Sequence, residues 1–274
     1  MNDKNSKDMK KYYWIAAFCI VAGFGLKGQE AQEFTIPLSE PGEAGTLVAN
    51  MHRGSIRIEG YSGKEVKIKV ISPEEDEVPN RDRSKSGLKR IPNTAAQFNV
   101  EEDDNVVTIS GIQSRRVDFK VMVPTAFSLK LRTHHDGFIS VKNVSGNIEA
   151  DGHHEDIEMS GISGSVVADT HHGDITIGFN EVTENTPMAF STYHGDIDVT
   201  FPGGVDSSTK IKTTKGEIYT DFDLDLKVEL TNVESRSGKG TKIQVGGWLK
   251  GDLGSGGAEY MFSSYHGDVI IRKK

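Results

Sequence analysis

All nine histidines of this chain fall in one recurring phrase. In chain order the phrases are Met51-His52-Arg53-Gly54-Ser55-Ile56, His134-His135-Asp136-Gly137-Phe138-Ile139 and His153-His154-Glu155-Asp156-Ile157. They continue as His171-His172-Gly173-Asp174-Ile175, Tyr193-His194-Gly195-Asp196-Ile197 and Tyr265-His266-Gly267-Asp268-Val269. A further copy, Thr214-Lys215-Gly216-Glu217-Ile218, keeps the frame without a histidine.

If the phrases stack as corners of successive coils, His134, His135, His153, His154, His171, His172 and His194 form a ladder beside Asp136, Asp156, Asp174 and Asp196. Neighbouring rings would then start roughly 4.8 Å apart at the backbone. Zinc holds nitrogen at roughly 2.0–2.1 Å, so small rotamer shifts would let two or three rings converge on one ion. Copper and nickel suit the same nitrogens, with the carboxylates orienting the rings. No spacing of the zinc-finger or HExxH kind is present, so this reading depends on stacking. A purely structural corner is the competing reading, with glycine at positive φ and aspartate bonding nearby amides. Crowded imidazoles would also repel one another once protonated, near roughly pH 6.5.

Catalytic readings find less support. Serine, histidine and aspartate abound, but none sits in a nucleophile elbow. Asp174, Asp196 and Glu217 could line up as in a glycan-cleaving β-helix. A cleft, however, needs unlike residues on successive coils, and these coils repeat the same ones.

The elements that would position these residues are strands. Ile139, Ile157 and Ile175 fall eighteen residues apart, and the following intervals, to Ile197 and Ile218, are twenty-two and twenty-one. Such a period predicts a repeat architecture: an all-β, repeat-built β-solenoid of the single-stranded β-helix type over residues 126–274. A β-sandwich of hairpins is the alternative. Residues 29–125 predict a less regular N-terminal β region that continues or caps the solenoid, with a polar insertion at 73–93. No apolar stripe of helical period follows residue 28. Tyr193, Tyr265, Phe190 and Phe262 occupy matched positions and predict packing roles. Trp248 predicts a plug near the end of the core, with a contact point for a ligand or partner as the alternative, and Val269-Ile270-Ile271 a last strand whose Arg272-Lys273-Lys274 block guards an edge.

Residues 1–28 read as a signal peptide: Lys4, Lys7, Lys10 and Lys11 precede an apolar run, Tyr12 to Leu26, with small residues at its end. At about fifteen residues the run is short for a span of roughly twenty, so cleavage between Gly25 and Gln29 is expected over an uncleaved anchor, with no transmembrane domain left afterwards. The single cysteine, Cys19, lies in that run behind Phe18, which is wrong for lipid attachment. The exported chain would have no disulfide. Five lysines and two aspartates put +3 on residues 1–28, so the overall −8 leaves −11 on residues 29–274. That charge argues against nucleic acid as a partner.

Val117-Asp118-Phe119-Lys120-Val121-Met122-Val123-Pro124, followed by serial Gly-Asp-Ile units, resembles a bacterial candidate-adhesin family of unknown function. The resemblance covers Gly45 to the carboxyl terminus. It implies a β-solenoid-like fold, an envelope location (periplasm, outer membrane or cell surface) and no catalytic residues to carry over. The histidines depart from the family's usual serine or threonine. The expected function is therefore a non-enzymatic exported scaffold of binding or adhesion type, its partner an envelope protein or a glycan. A histidine-ladder module for zinc or another transition metal is the alternative.

Overall fold

The computed structural model describes residues 32–71, 98–111, 116–237 and 240–274. The expected leader (1–28) and polar insertion (73–93) lie outside the described residues. The strands are β1 (Gln32–Pro37), β2 (Thr46–Arg53), β3 (Ile56–Tyr61), β4 (Glu65–Ile71), β5 (Phe98–Asp103), β6 (Val106–Gly111) and β7 (Asp118–Pro124). They continue as β8 (Ser128–His135), β9 (Ile139–Lys142), β10 (Ile148–Gly152), β11 (Ile157–Ile162), β12 (Val166–Thr170), β13 (Ile175–Phe179) and β14 (Met188–Thr192). The last are β15 (Ile197–Phe201), β16 (Ser207–Lys212), β17 (Ile218–Thr220), β18 (Lys227–Ser237), β19 (Gly240–Leu253), β20 (Glu259–Ser264) and β21 (Val269–Lys273). No helix occurs among the described residues.

Alternation of apolar and polar residues gives every coil strand one inward and one outward face. Strands consecutive in a repeat lie in opposite sheets. Each pairs in parallel with like strands of neighbouring coils, so the molecule is a two-sheet β-solenoid rather than a sandwich of hairpins. One sheet runs β1-β4-β7-β3-β9-β11-β13-β15-β21-β17, and the other β18-β19-β16-β20-β14-β12-β10-β8-β2-β6-β5. The N-terminal strands thus belong to the same two sheets as the repeats. A single row of inward side chains runs Phe119, Ile56, Ile139, Ile157, Ile175, Ile197, Val269 and Ile218. Stacked rings fill the far half of the core: Phe179 on Phe201 at 5.1 Å, Phe190 on Phe262 at 5.0 Å, and Phe201 on Tyr260 at 5.4 Å.

The stacking order departs from sequence order at both ends. Coil β6/β7 lies outside β2/β3, and β8/β9 returns to the other side of β2/β3. At the far end, β20/β21 is wedged between β14/β15 and β16/β17. The terminal strand β21 is therefore interior, not the guarded edge expected of it, and Arg272 is spent on a paired contact with Asp198 of β15 at 2.8 Å. The edge strand is β17, three residues long, and short edges resist further pairing. Antiparallel strands close the remaining edges: β4 and β1 beyond β7, β5 beyond β6, and β19 and β18 beyond β16.

Candidate functional site: an imidazole and phenol edge

Outward positions of the second sheet lead directly to the histidines. On β8 they are Lys130, Arg132 and His134; on β10, Glu149 and Asp151, then His153; on β12, Val167 and Asp169, then His171. His52, Tyr193 and Tyr265 continue the same row. The next residue of each phrase turns the corner and builds a second row, His135, His154, His172, His194 and His266.

The result is two columns of nearly parallel rings. In the first, centroids are 4.7 Å apart for His134–His153, 5.2 Å for His153–His171, 5.0 Å for His171–Tyr193 and 4.8 Å for Tyr193–Tyr265. In the second they are 5.4 Å for His135–His154, 4.8 Å for His154–His172, 4.7 Å for His172–His194 and 4.5 Å for His194–His266. His52 packs 5.7 Å from His134 and 5.6 Å from His135. All nine imidazoles therefore share one edge. The two phenols, expected to pack, do so by extending the first column.

Repetition of the corner has a backbone cause, and except at Gly54, whose φ is 120°, it differs from the positive φ expected for the glycines. Gly173, Gly195, Gly216 and Gly267 have ordinary φ values. A Cβ at Gly173 would meet the Glu155 carbonyl oxygen at 2.0 Å, and one at Gly195 the Gly173 oxygen at 2.0 Å. Glycine is needed because the next coil's carbonyl passes against it. Each aspartate then accepts the amide of its counterpart one coil on: Asp156 Oδ1 from Asp174 at 2.9 Å, Asp174 from Asp196 at 2.9 Å, Asp196 from Asp268 at 2.8 Å, and Asp268 from Glu217 at 2.8 Å. Inside, the hydroxyls of Thr170, Thr192, Ser264 and Thr213 donate to the carbonyls of Glu155, Gly173, Gly195 and Gly267. The line Asp174, Asp196 and Glu217 thus ties coils together. Asp136 does not belong to it. Ile139 pairs with Ile157, which puts Phe138 at the aspartate's place, and Asp136 is an extra residue at φ 58° whose carboxylate lies 3.7 Å from Arg53.

One coil breaks the pattern. Glu155 stands where the others carry glycine, and Gly152 stands where the others, Met51 of the first copy apart, carry threonine or serine. A Cβ at Gly152 would lie 3.4 Å from the Glu155 Cβ, so losing the threonine makes room for the glutamate. Glu155 is only 1% exposed. Its Oε2 accepts the amides of His153 (2.9 Å) and His154 (2.8 Å), while Oε1 is buried without a partner, as is Nδ1 of His153. Sequence reading passed over this pair, although its signal was present as the lone glutamate in the glycine column.

The crowding depresses basicity. Lost hydration first, and then the neighbouring imidazoles, hold His135, His153 and His172 below the ordinary histidine value; Glu155 pulls His135 the other way. For His266 the causes are lost hydration, then Lys215 and His194. Beside the first column, lost hydration raises the Asp169 carboxyl, opposed by a hydrogen bond from Ser191. Nδ1 of His134 and Nε2 of His135 lie 3.0 Å apart. Among the described residues, however, no three histidine, cysteine or acidic donors already converge as a metal shell. The reason is that parallel rings point their nitrogens side by side.

Trp248, expected as a core plug, lies instead on the outer face, with Nζ of Lys210 4.7 Å and Nζ of Lys212 5.6 Å from its ring centre.

No family model matches the chain, and no curated protein matches it at a meaningful level. Two solved bacterial structures are similar to it. One is a candidate cell adhesion protein of Clostridium sporogenes, 15% identical with a TM-score of 0.43, covering 89% of this chain and 100% of its own. The other is a candidate adhesin of Bacteroides fragilis, 11% identical with a TM-score of 0.43, covering 90% of this chain and 98% of its own.

Proposed function

We propose that this chain is a non-enzymatic, exported scaffold of the cell envelope that binds through its imidazole and phenol edge. The observation that carries this reading is an internal control. The corner Thr214-Lys215-Gly216-Glu217 has no histidine, yet it is built as the others are. Thr213 donates to Gly267 O, Glu217 N donates to Asp268 Oδ1, and Lys215 N donates to Tyr265 O at 3.0 Å. Turning the chain therefore does not require imidazole, and nine imidazoles beside two phenols are left needing another use. Stacking covers the ring faces, so the edge offers an outside partner ring rims and nitrogens. The recurrent carboxylates, spent on holding the next coil, support a binding role over a hydrolytic one. Export is supported by the leader-like residues 1–28 and by the absence of cysteine after them.

The test compares the untagged wild type with a chain carrying His153→Thr, His154→Lys, His171→Thr and His172→Lys. These changes copy the natural Thr214-Lys215 corner. Co-sedimentation with the cell-envelope fraction should weaken by about tenfold or more, the worth of a single lost contact of about 1.4 kcal/mol. Equal sedimentation of two equally folded proteins would remove the reading.

A further inference from the structure

We propose that the edge binds a divalent transition-metal ion through His134, His135 and His153, above the buried carboxylate of Glu155. This rests on the reading of the edge as a binding surface and names the ligand.

The first support is distance. Two nitrogens bound to one ion at about 2.05 Å and at a right angle to each other lie about 2.9 Å apart. His134 Nδ1 and His135 Nε2 already stand 3.0 Å apart. In the metal-free protein one ring donates a proton to the other across that gap; an ion would replace that proton. The His153 ring is stacked 4.7 Å from His134 and 6.2 Å from His135. Ring rotation, without backbone movement, brings it towards the pair.

The second support is the unpaired buried groups. A carboxylate with one oxygen buried and unpartnered is costly unless positive charge comes near. Glu155 is in that condition, and its other oxygen accepts the amides of His153 and His154, which sets it against the same corner. The neighbouring cationic side chains are engaged elsewhere: Arg132 with Asp151 at 2.9 Å and Arg53 with Asp136 at 3.7 Å. His153 Nδ1, on the same corner, is buried and unpartnered as well. A cation held by the imidazoles answers both deficits at once. Among the described residues no other copy of the phrase has them, because every other copy carries glycine at that place. The site is thereby located within the ladder rather than spread evenly along it.

The third support is donor type. Nitrogen donors favour copper, nickel or zinc over magnesium or calcium.

The experiment titrates Cu(II) and Zn(II) separately into the untagged, chelator-treated chain by calorimetry, with copper absorption as a second readout. Circular dichroism checks folding. We expect saturable binding near one equivalent. His134→Thr with His135→Lys should abolish it. Glu155→Gln should weaken it by about 10- to 100-fold, as loss of a supporting carboxylate does. His194→Thr, two coils away from His154, should leave it unchanged. No saturable binding by wild type, or a loss with His194→Thr as large as that with His134→Thr and His135→Lys, would overturn the site. Envelope co-sedimentation repeated in chelator separates the two readings. Retention there with no metal bound in calorimetry sinks the metal and keeps the scaffold. Metal binding at the stated residues with no envelope retention keeps the metal and sinks the scaffold.

Discussion

The Asp174 carboxylate accepts the backbone amide of Asp196, its counterpart one coil later, at 2.9 Å. Because the same bond recurs from Asp156 to Asp268, the aspartates form a chain of coil-to-coil ties in which Asp174, Asp196 and Asp268 each donate through the amide and accept through the side chain. Asp196→Ala leaves the Asp268 amide without its acceptor. The site is open to water, so the expected loss is about 0.5–1.5 kcal/mol. Asp196→Asn keeps an accepting oxygen and should cost less. Denaturant unfolding of both variants checks the order; equal losses would mean that charge, not acceptance, is what matters.

The glycine column makes a sharper prediction. Gly173→Ala would drive a methyl group into the Glu155 carbonyl oxygen, 2.0 Å away. Overpacking against backbone that cannot yield should cost about 2–3 kcal/mol or more. Gly178, on β13, is the control: the nearest atom to its would-be Cβ is Met159 O at 3.9 Å. Alanine there should be neutral or stabilising by up to about 1 kcal/mol, since glycine in a strand costs chain entropy. Thermal unfolding distinguishes the two.

Gly152 and Glu155 should behave as a coupled pair. Gly152→Thr alone crowds the Glu155 Cβ at 3.4 Å and the Thr170 hydroxyl at 3.2 Å, and Glu155→Gly alone strips the His153 and His154 amides of their acceptor. Made together, the changes restore the corner seen at Thr170-to-Gly173 and at Thr192-to-Gly195. The double variant should be more stable than either single one, with an interaction energy of about 0.5–3 kcal/mol. It should also weaken binding at the proposed metal site, a trade of binding for stability. Additive unfolding energies would reject the coupling.

Much of this could be seen in the sequence, and the exceptions have identifiable causes. The frame shared by nine histidines and the eighteen-residue spacing of Ile139, Ile157 and Ile175 point to parallel stacking, because stacked coils set like residues on like. Sequence order would have put Ile218 beside Ile197. The structure puts Val269 there, and the hint was composition: Phe190-Ser191-Thr192-Tyr193-His194 is echoed by Phe262-Ser263-Ser264-Tyr265-His266, and these are the segments that lie side by side. The reason for the glycines was hidden, since close approach of a carbonyl leaves the same residue as a positive φ would. Trp248 was misplaced because a tryptophan in a glycine-rich strand reads as core until the lysines packed on its outer side are known.

Acid should loosen the ladder. In the metal-free protein His135, His153, His172 and His266 have folded-state values below the ordinary one, so the folded form binds fewer protons than the unfolded form as pH falls. Their contribution to stability is complete above about pH 6.5, the unfolded value, and is lost as pH drops from there through the lowered folded values. The rings facing them are His52, His134, His154, His171 and His194. Lys215 adds to the repulsion at one end, and the carboxylates of Glu155 and Asp169 oppose it. With chelator present, the unfolding midpoint should fall between about pH 7.5 and about pH 5.5. Replacing His153 and His172 by threonine should flatten that slope; an unchanged slope would place the acid sensitivity elsewhere.

The wedged coil makes the last prediction. In a solenoid stacked in sequence order, removing the final coil frays one end and leaves the rest intact. Here β20 lies between β14 and β16, and β21 between β15 and β17. Ending the chain at Gly257 would open a slot two strand spacings wide, about 9.6 Å, between β14/β15 and β16/β17. It would also remove Tyr260 and Phe262 from the ring stack under Phe190 and Phe201, and with them the only partner of β17 in its sheet. Hydrogen exchange on the shortened chain should therefore find β17 unprotected and β16 protected only through its antiparallel pairing with β19, with protection weakened back to β14 and β15, although all of these strands precede the cut. Full protection of β16 and β17 would mean that they had closed the slot by moving onto β14 and β15, and that the inserted coil is not what holds this end of the fold.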